Sequence, residues 1–357
     1  MPSPQRAAAP GAPNGDATNG EVPERHPDSL RAFLGNIVDY AGLFPPSDLP
    51  LREAIQNYAR YRQEEHAWML SRFVVPVGRL ADLDEHASLF AEDAKNARGE
   101  APPYRFSVLG TGGDTEEAFL DAFAEDLDAI ATFAARRQGR AAADMMEVPL
   151  PAELLEAGTD DLEVFFDAVH RRLVAAGTAR LDLYYEVPLD EDGVEAVGPA
   201  ARALAAHNAA QERPLRAEAS LKFRCGGDTA ADIPAPAHLA RAIAACRDAD
   251  ARFKATAGLH HPVRHRDDDL GAHRHGFLNV FGAAALAEAQ GLGAEALHEV
   301  LVEENADHFR FRPDALAWKD RAAPTAAIER AREHLAASFG SCSFEAPVAD
   351  LRDLGLL

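Results

Sequence analysis

The chain has 357 residues, 47% of them hydrophobic, with 58 acidic against 36 basic side chains and a net charge of −22. A hydrophobic share of this size supports a full core and excludes disorder for most of the chain. A surface this acidic repels phosphate backbones and anionic membranes, so nucleic acid and membrane are not expected partners, and no run of about 18 apolar residues is present to span a bilayer.

Residues 1–28 are rich in Pro, Ala, Gly and Asn and lack the apolar stretch of a signal peptide. They are expected to form a disordered tail ahead of a single domain over residues 29–357. Three cysteines, Cys225, Cys246 and Cys342, are too few and too scattered for a disulfide framework or a zinc knuckle, which suits a reducing cytoplasm. Lysine occurs only at Lys95, Lys222, Lys254 and Lys319, the other 32 of the 36 basic residues being arginine. Arginine stays protonated in proteins whereas a partly buried lysine can lose its proton, so a lysine retained in an apolar strand pattern suggests a need for an amine.

Along the chain, short apolar runs alternate with amphipathic stretches. Strands are expected at residues 37–40, 72–77, 104–109, 145–150, 181–187, 217–223 and 252–257, with an eighth within 309–318. Helices are expected between them, including one from 51 to 65, one after Asp114 and Thr115, and a last one over 325–337. Helical patterns also lie at 277–290 and 294–305, inside a longer segment, 262–308, whose role the sequence leaves open. Eight strand–helix units predict one (β/α)8 barrel. A doubly wound sheet is disfavoured because no Gly-x-Gly-x-x-Gly follows the first strand.

Active sites of such barrels lie at the C-terminal strand ends. The polar residues expected there are Asp39, Glu147, Glu186, Lys222, Arg224, Lys254, His260, His261, Arg264 and Lys319. Ion pairing across the barrel mouth is the plain structural explanation for this set. The chemical one centres on Lys222 and Lys254 on neighbouring strands, about 4.8 Å apart. Two ammonium groups that close would be expected to push one amine down toward neutrality, the state of a Schiff-base nucleophile.

Read in order, several short motifs form a series: Val38-Asp39-Tyr40 with Leu43 and Pro45-Pro46, Phe73-Val74-Val75-Pro76, Asp144-Met145-Met146-Glu147-Val148, Lys222-Phe223-Arg224-Cys225-Gly226 and Lys254-Ala255-Thr256-Ala257-Gly258. The series resembles the class I aldolase barrels of the deoxyribose-phosphate aldolase kind. The resemblance implies a lyase with Lys222 as the Schiff-base lysine, Lys254 as the second lysine and Glu147 in place of a catalytic aspartate. The chain departs from that family at Arg224 and Cys225 and at Leu259-His260-His261-Pro262. The region read as the eighth strand, with Arg310-Phe311-Arg312-Pro313 and Trp318-Lys319, carries no Gly-Ser phosphate-binding pair, so a sugar phosphate is not expected.

The expectation is therefore an enzyme acting on a small anionic carbonyl compound. Lys222, Lys254, Glu147, Glu186 and Asp39 would be its catalytic residues, and Arg224, His260, His261 and Arg264 would grip the substrate. No cofactor is expected. The alternative is a metal-dependent lyase, isomerase or hydrolase holding a divalent ion through Glu147, Glu186, His260 and His261, and a non-catalytic ligand-binding barrel is a third reading. A homodimer is left open. Cys342 reads as packing, and Gly110-Thr111-Gly112-Gly113 as a turn and helix cap.

Overall fold

The computed structural model describes residues 26–90, 103–211 and 218–357. The expected tail thus lies outside the described residues except for its last three, and Asp28 already opens the first helix, α1 (Asp28–Leu34). The elements then follow as β1 (Val38–Tyr40), α2 (Leu51–Tyr61), β2 (Leu70–Pro76), β3 (Tyr104–Leu109), α3 (Glu116–Arg137) and β4 (Ala141–Pro149). Next come α4 (Thr159–Ala175), β5 (Asp182–Glu186), α5 (Gly193–Ala210), β6 (Ala219–Arg224), α6 (Pro236–Ala249) and β7 (Phe253–Thr256). Beyond β7 lie β8 (His265–Asp267), β9 (Ala272–Arg274), α7 (Phe277–Gln290), α8 (Ala294–Leu301), β10 (Phe309–Arg312), β11 (Ala315–Trp318) and β12 (Arg321–Pro324). The chain ends with α9 (Thr325–Arg330), β13 (Ala336–Ser341) and α10 (Glu345–Asp353).

Strands β1 to β7 pair in chain order and β13 closes the ring between β7 and β1, giving a closed eight-stranded parallel barrel. The strands bury both faces. Phe73, Phe106, Leu221 and Phe253 are fully inaccessible, as near-continuous apolar strands of a parallel sheet require. Helices pack outside through their apolar stripes. In α3, Phe119, Phe123, Leu127 and Ile130 are buried, and the Thr115 hydroxyl accepts from the Ala118 amide at its N-terminus.

One expected element is displaced. Residues 309–318 do not form the eighth barrel strand; they supply β10 and β11 of a three-stranded antiparallel meander with β12. The true eighth strand, β13, lies within and beyond the stretch read as the last helix. The helix runs only from Thr325 to Arg330, widens into a π-helical turn over Ala331–Leu335, and the chain then extends. The misreading has a physical cause. Ala336-Ala337-Ser338-Phe339-Gly340-Ser341 has little β-propensity, yet all six residues are buried by the ring closure. Small side chains are required there. A Cβ at Gly340 would come 2.8 Å from the Thr256 hydroxyl on β7.

Candidate active site

The strands bring together, at the C-terminal side of the barrel, five charged groups drawn from five of the eight strands. Lys222 and Lys254 are direct partners in the β6–β7 register, and Glu186 of β5 pairs with Lys222 in turn. The two amines do not face each other bare. Lys254 Nζ donates to Asp39 Oδ2 at 2.8 Å and to Glu147 Oε1 at 2.5 Å, with Met145 Sδ at 3.4 Å. Lys222 Nζ lies 2.9 Å from the other Glu147 oxygen, Oε2, and 2.9 Å from Glu186 Oε2. Glu147 therefore stands between the lysines with one oxygen on each.

Two hydroxyls complete the chain. Ser107 Oγ donates to Glu147 Oε1 at 2.5 Å and Ser338 Oγ donates to Asp39 Oδ2 at 2.6 Å. The Arg72 amide donates to Asp39 Oδ1 at 3.2 Å. Burial grades along this chain. Lys254 and Asp39 are fully inaccessible, Glu147 and Lys222 nearly so, and the Glu186 side chain, 24% exposed, reaches the open side. Three carboxylates serve two amines, and the surplus one is the outermost.

The electrostatics follow from this arrangement. Burial pushes Glu147 and Asp39 up, but the lysine charges outweigh it and hold both carboxyls below their ordinary range, with Arg72 contributing at Asp39. Burial likewise pulls Lys222 down, but Glu147 and Glu186 more than reverse it, so this amine sits above its ordinary value. Lys254 is raised in the same way by Asp39 and Glu147. The expected depression of Lys222 by its lysine neighbour is thus corrected. A carboxylate separates the two charges and stabilises both, so Lys254 acts on Lys222 only through Glu147.

Above Lys222 opens a cavity of about 670 Å3 lined by Glu147, Lys222, Arg224, His260, His261 and Cys342, among others. Lys254 and Asp39 lie behind its floor. Arg224, the last residue of β6, is exposed and has no ion pair among the described residues. His261 pairs with Asp350 at 2.7 Å, and Arg274 with Asp267. The loop after β7 is forced into the left-handed region at Ala257, φ 56°, and Gly258, φ 74°. Only glycine serves at the second, where a Cβ would approach the Cα of Gly226 in the neighbouring loop to 3.0 Å.

Two expected residues are not at the mouth. Arg264 turns toward Glu304, 3.5 Å away, and its amide is held by Asn279. Lys319 follows β11 in the meander and pairs with Glu303 at 2.8 Å, because residues 309–318 are outside the barrel. The alternative metal set is not gathered: among the described residues no group of three His, Cys, Asp or Glu could hold a metal ion. Sequence reasoning missed Ser107, Ser338 and the lining role of Cys342. A serine inside the apolar run Phe106-Ser107-Val108 was the one available signal; Ser338 and Cys342 were hidden by the misplaced eighth strand.

No protein-family model and no curated protein matches the chain. Among solved structures it is similar to a malate synthase of Haloferax volcanii determined as a pyruvate/acetyl-CoA ternary complex. That match has 12% identity and a TM-score of 0.37, covering 90% of this chain and 75% of that one. It is also similar to the dihydrodipicolinate synthase of Thermotoga maritima, with 15% identity and a TM-score of 0.34, covering 91% of this chain and 100% of that one. Barrels of this architecture host many chemistries, so the fold by itself assigns none. Among the described residues no helix is long and apolar enough to cross a membrane.

Proposed function

We propose that the chain is a lyase of the class I aldolase type, acting on a small anionic carbonyl compound through Lys222. The observation that carries this reading is the placement of Lys222. Its amine lies at the floor of the cavity with a carboxylate on either side, one locked by a second lysine and the other reaching the open side. A purely structural ion pair needs no cavity above it.

In the resting state Lys222 is an ammonium. When a carbonyl compound enters, Glu186 accepts a proton from Nζ, and the freed amine attacks the carbonyl carbon. The attacking nitrogen passes a second proton to the carbonyl oxygen, Glu186 returns the first to the hydroxyl so formed, which leaves as water, and the iminium remains. For cleavage, the ionised Glu186 takes the proton of the hydroxyl on the β-carbon, and that oxygen becomes the carbonyl of the departing fragment. The pair of the broken Cα–Cβ bond forms an enamine as the iminium nitrogen takes up its π pair; bond formation runs the same steps in reverse. Lys254 keeps Glu147 ionised throughout, so that Glu147 stabilises the developing positive charge on Lys222. Arg224, with His260 and His261, faces the anionic end of the substrate.

The test is borohydride reduction in the presence of small aldehydes and keto acids, followed by peptide mapping. A reduced adduct on Lys222 is expected. Its absence from Lys222, or an activity that follows a chelatable metal, overturns the reading.

A further inference from the structure

The wall of the same cavity carries a nucleophile that the lysine chemistry leaves unused. Cys342 lies one residue beyond β13 and His260 lies four residues beyond β7, and the closure of the barrel brings Cys342 Sγ to 3.6 Å from His260 Nδ1. Both residues line the cavity with Lys222. Burial, the Arg274 charge and the neighbouring imidazoles push His260 down to about 4, so its ring is neutral at pH 7, and in the tautomer protonated at Nε2 the free Nδ1 faces the thiol as a weak proton acceptor. The other two thiols differ. Cys225 and Cys246 are fully buried, outside the cavity lining, without an imidazole contact among the described residues, and burial pushes Cys225 up to about 12.

The geometry points to Cys342 as a conjugate-addition site for small α,β-unsaturated carbonyl compounds that enter this cavity, with His260 as its proton acceptor. An amine prefers a carbonyl carbon and a polarizable sulfur prefers the β-carbon of an enal or enone. A cavity offering both groups fits a molecule offering both positions. The inference rests on the lysine reading for its carbonyl half and names the substrate class of that site. In the thiol step the Sγ–Cβ bond forms and the C=C π pair moves toward the α-carbon. The thiol proton passes to His260 Nδ1 and then to the α-carbon. The net change is addition of S–H across the double bond, with no oxidant or reductant, and its reversal releases the compound unchanged.

The experiment uses the full chain and crotonaldehyde, with borohydride quenching and mass mapping of all three cysteines and Lys222. The thiol adduct is expected on Cys342, with Cys225 and Cys246 unlabelled. His260→Gln should slow that adduct about tenfold, below the roughly 100-fold that begins the range of a base whose value lies near the working pH. Lys222→Met should lose the amine adduct and keep the thiol adduct, so a failure of the lysine reading is visible separately. Should His260→Gln not fold, the pH profile of the native chain decides. Transfer to a neutral imidazole makes the rate nearly flat from pH 7 to pH 5, whereas a thiol acting alone loses about tenfold per unit. Labelling spread over all three cysteines, no label on Cys342, or the tenfold slope overturns the inference.

Discussion

The two ends of the barrel solve the same electrostatic problem with different cations. At the C-terminal end two lysines share three carboxylates beneath a cavity. At the N-terminal end Arg72, Arg105, Arg252 and Arg332 line a smaller hollow of about 330 Å3. There Arg72 and Arg105 both grip Asp144, at 2.7 and 2.6 Å, and Arg252 pairs with Glu218 at 3.2 Å. Arg332 donates to the carbonyls of Ala336 and Gly35. Asp144 collects two of these guanidinium groups and Arg332 bridges two carbonyls, a stitching role for which a permanent planar cation is suited. A lysine would serve the stitching less well, and an arginine could not serve at all where an amine must become nucleophilic. In a chain that uses arginine almost everywhere, the two lysines inside the barrel mark the end to which the proposed chemistry is assigned.

The sharpest break of this comparison is Lys222→Arg. It preserves the charge between Glu147 and Glu186 but removes the deprotonatable amine, so borohydride-trapped label at this position should vanish while the circular dichroism spectrum is retained. Retained carbonyl labelling in that variant would make the two ends equivalent.

Next in size is Lys254→Met, read by urea unfolding. It strands Asp39 and Glu147, both buried, without their shared cation, and should cost about 3–5 kcal/mol. A loss under about 1 kcal/mol would mean that the deep lysine contributes little to holding the floor together.

Stability should also depend on pH in a defined way. The raised lysines contribute fully below the ordinary lysine value near 10.4, and that contribution is lost as pH climbs through their folded values. The depressed carboxyls contribute above about pH 4 and are lost as pH falls. His260 and His275, both pushed down to about 4 mainly by burial, act earlier on the acid side. The unfolded chain takes up their protons near 6.5, so stability should already decline between pH 6.5 and 4. Urea midpoints measured across that interval should fall, and less so in a His275→Gln variant; a level profile down to pH 4 contradicts the neutral burial of these rings.

The smallest effect belongs to Arg105→Lys at the other end. The Arg105 side chain is 39% exposed, and its Asp144 partner keeps Arg72, so a change under about 1 kcal/mol is expected. A loss of several kcal/mol would give the N-terminal hollow a role beyond stitching.

Much of this molecule is legible from residue order because seven of the barrel strands are apolar runs bounded by turn residues. The placement of Lys222 and Lys254 on neighbouring strands and of Asp39, Glu147 and Glu186 near strand ends follows from the sequence, whereas the side-by-side register of the two lysines is given by the structure. Three things were not legible. The eighth strand is built from alanine, serine and glycine, whose selection by close packing leaves no hydrophobic signature. Nearness in sequence to His261 suggests the mouth for Arg264, but the chain turns away through β8 and Arg264 faces Glu304. The sign of the Lys222 shift depended on which oxygen of Glu147 faces which amine, and no spacing rule encodes that.

The late arrival of β13 has a consequence for biosynthesis. Val38 of β1 pairs with Phe339, and the Ser338–Asp39 hydrogen bond lies behind the floor of the cavity, so a growing chain holds all five charged groups long before it can close the ring that cages them. Until Ala336 emerges, β1 and β7 present open edges, and the buried carboxylate of Asp39 lacks the wall that excludes water from it. Contacts so remote along the chain form slowly. A ribosome stalled before that strand would carry an unfinished sheet with two sticky flanks, the form of this protein most exposed to chaperones and to mispairing with its own copies.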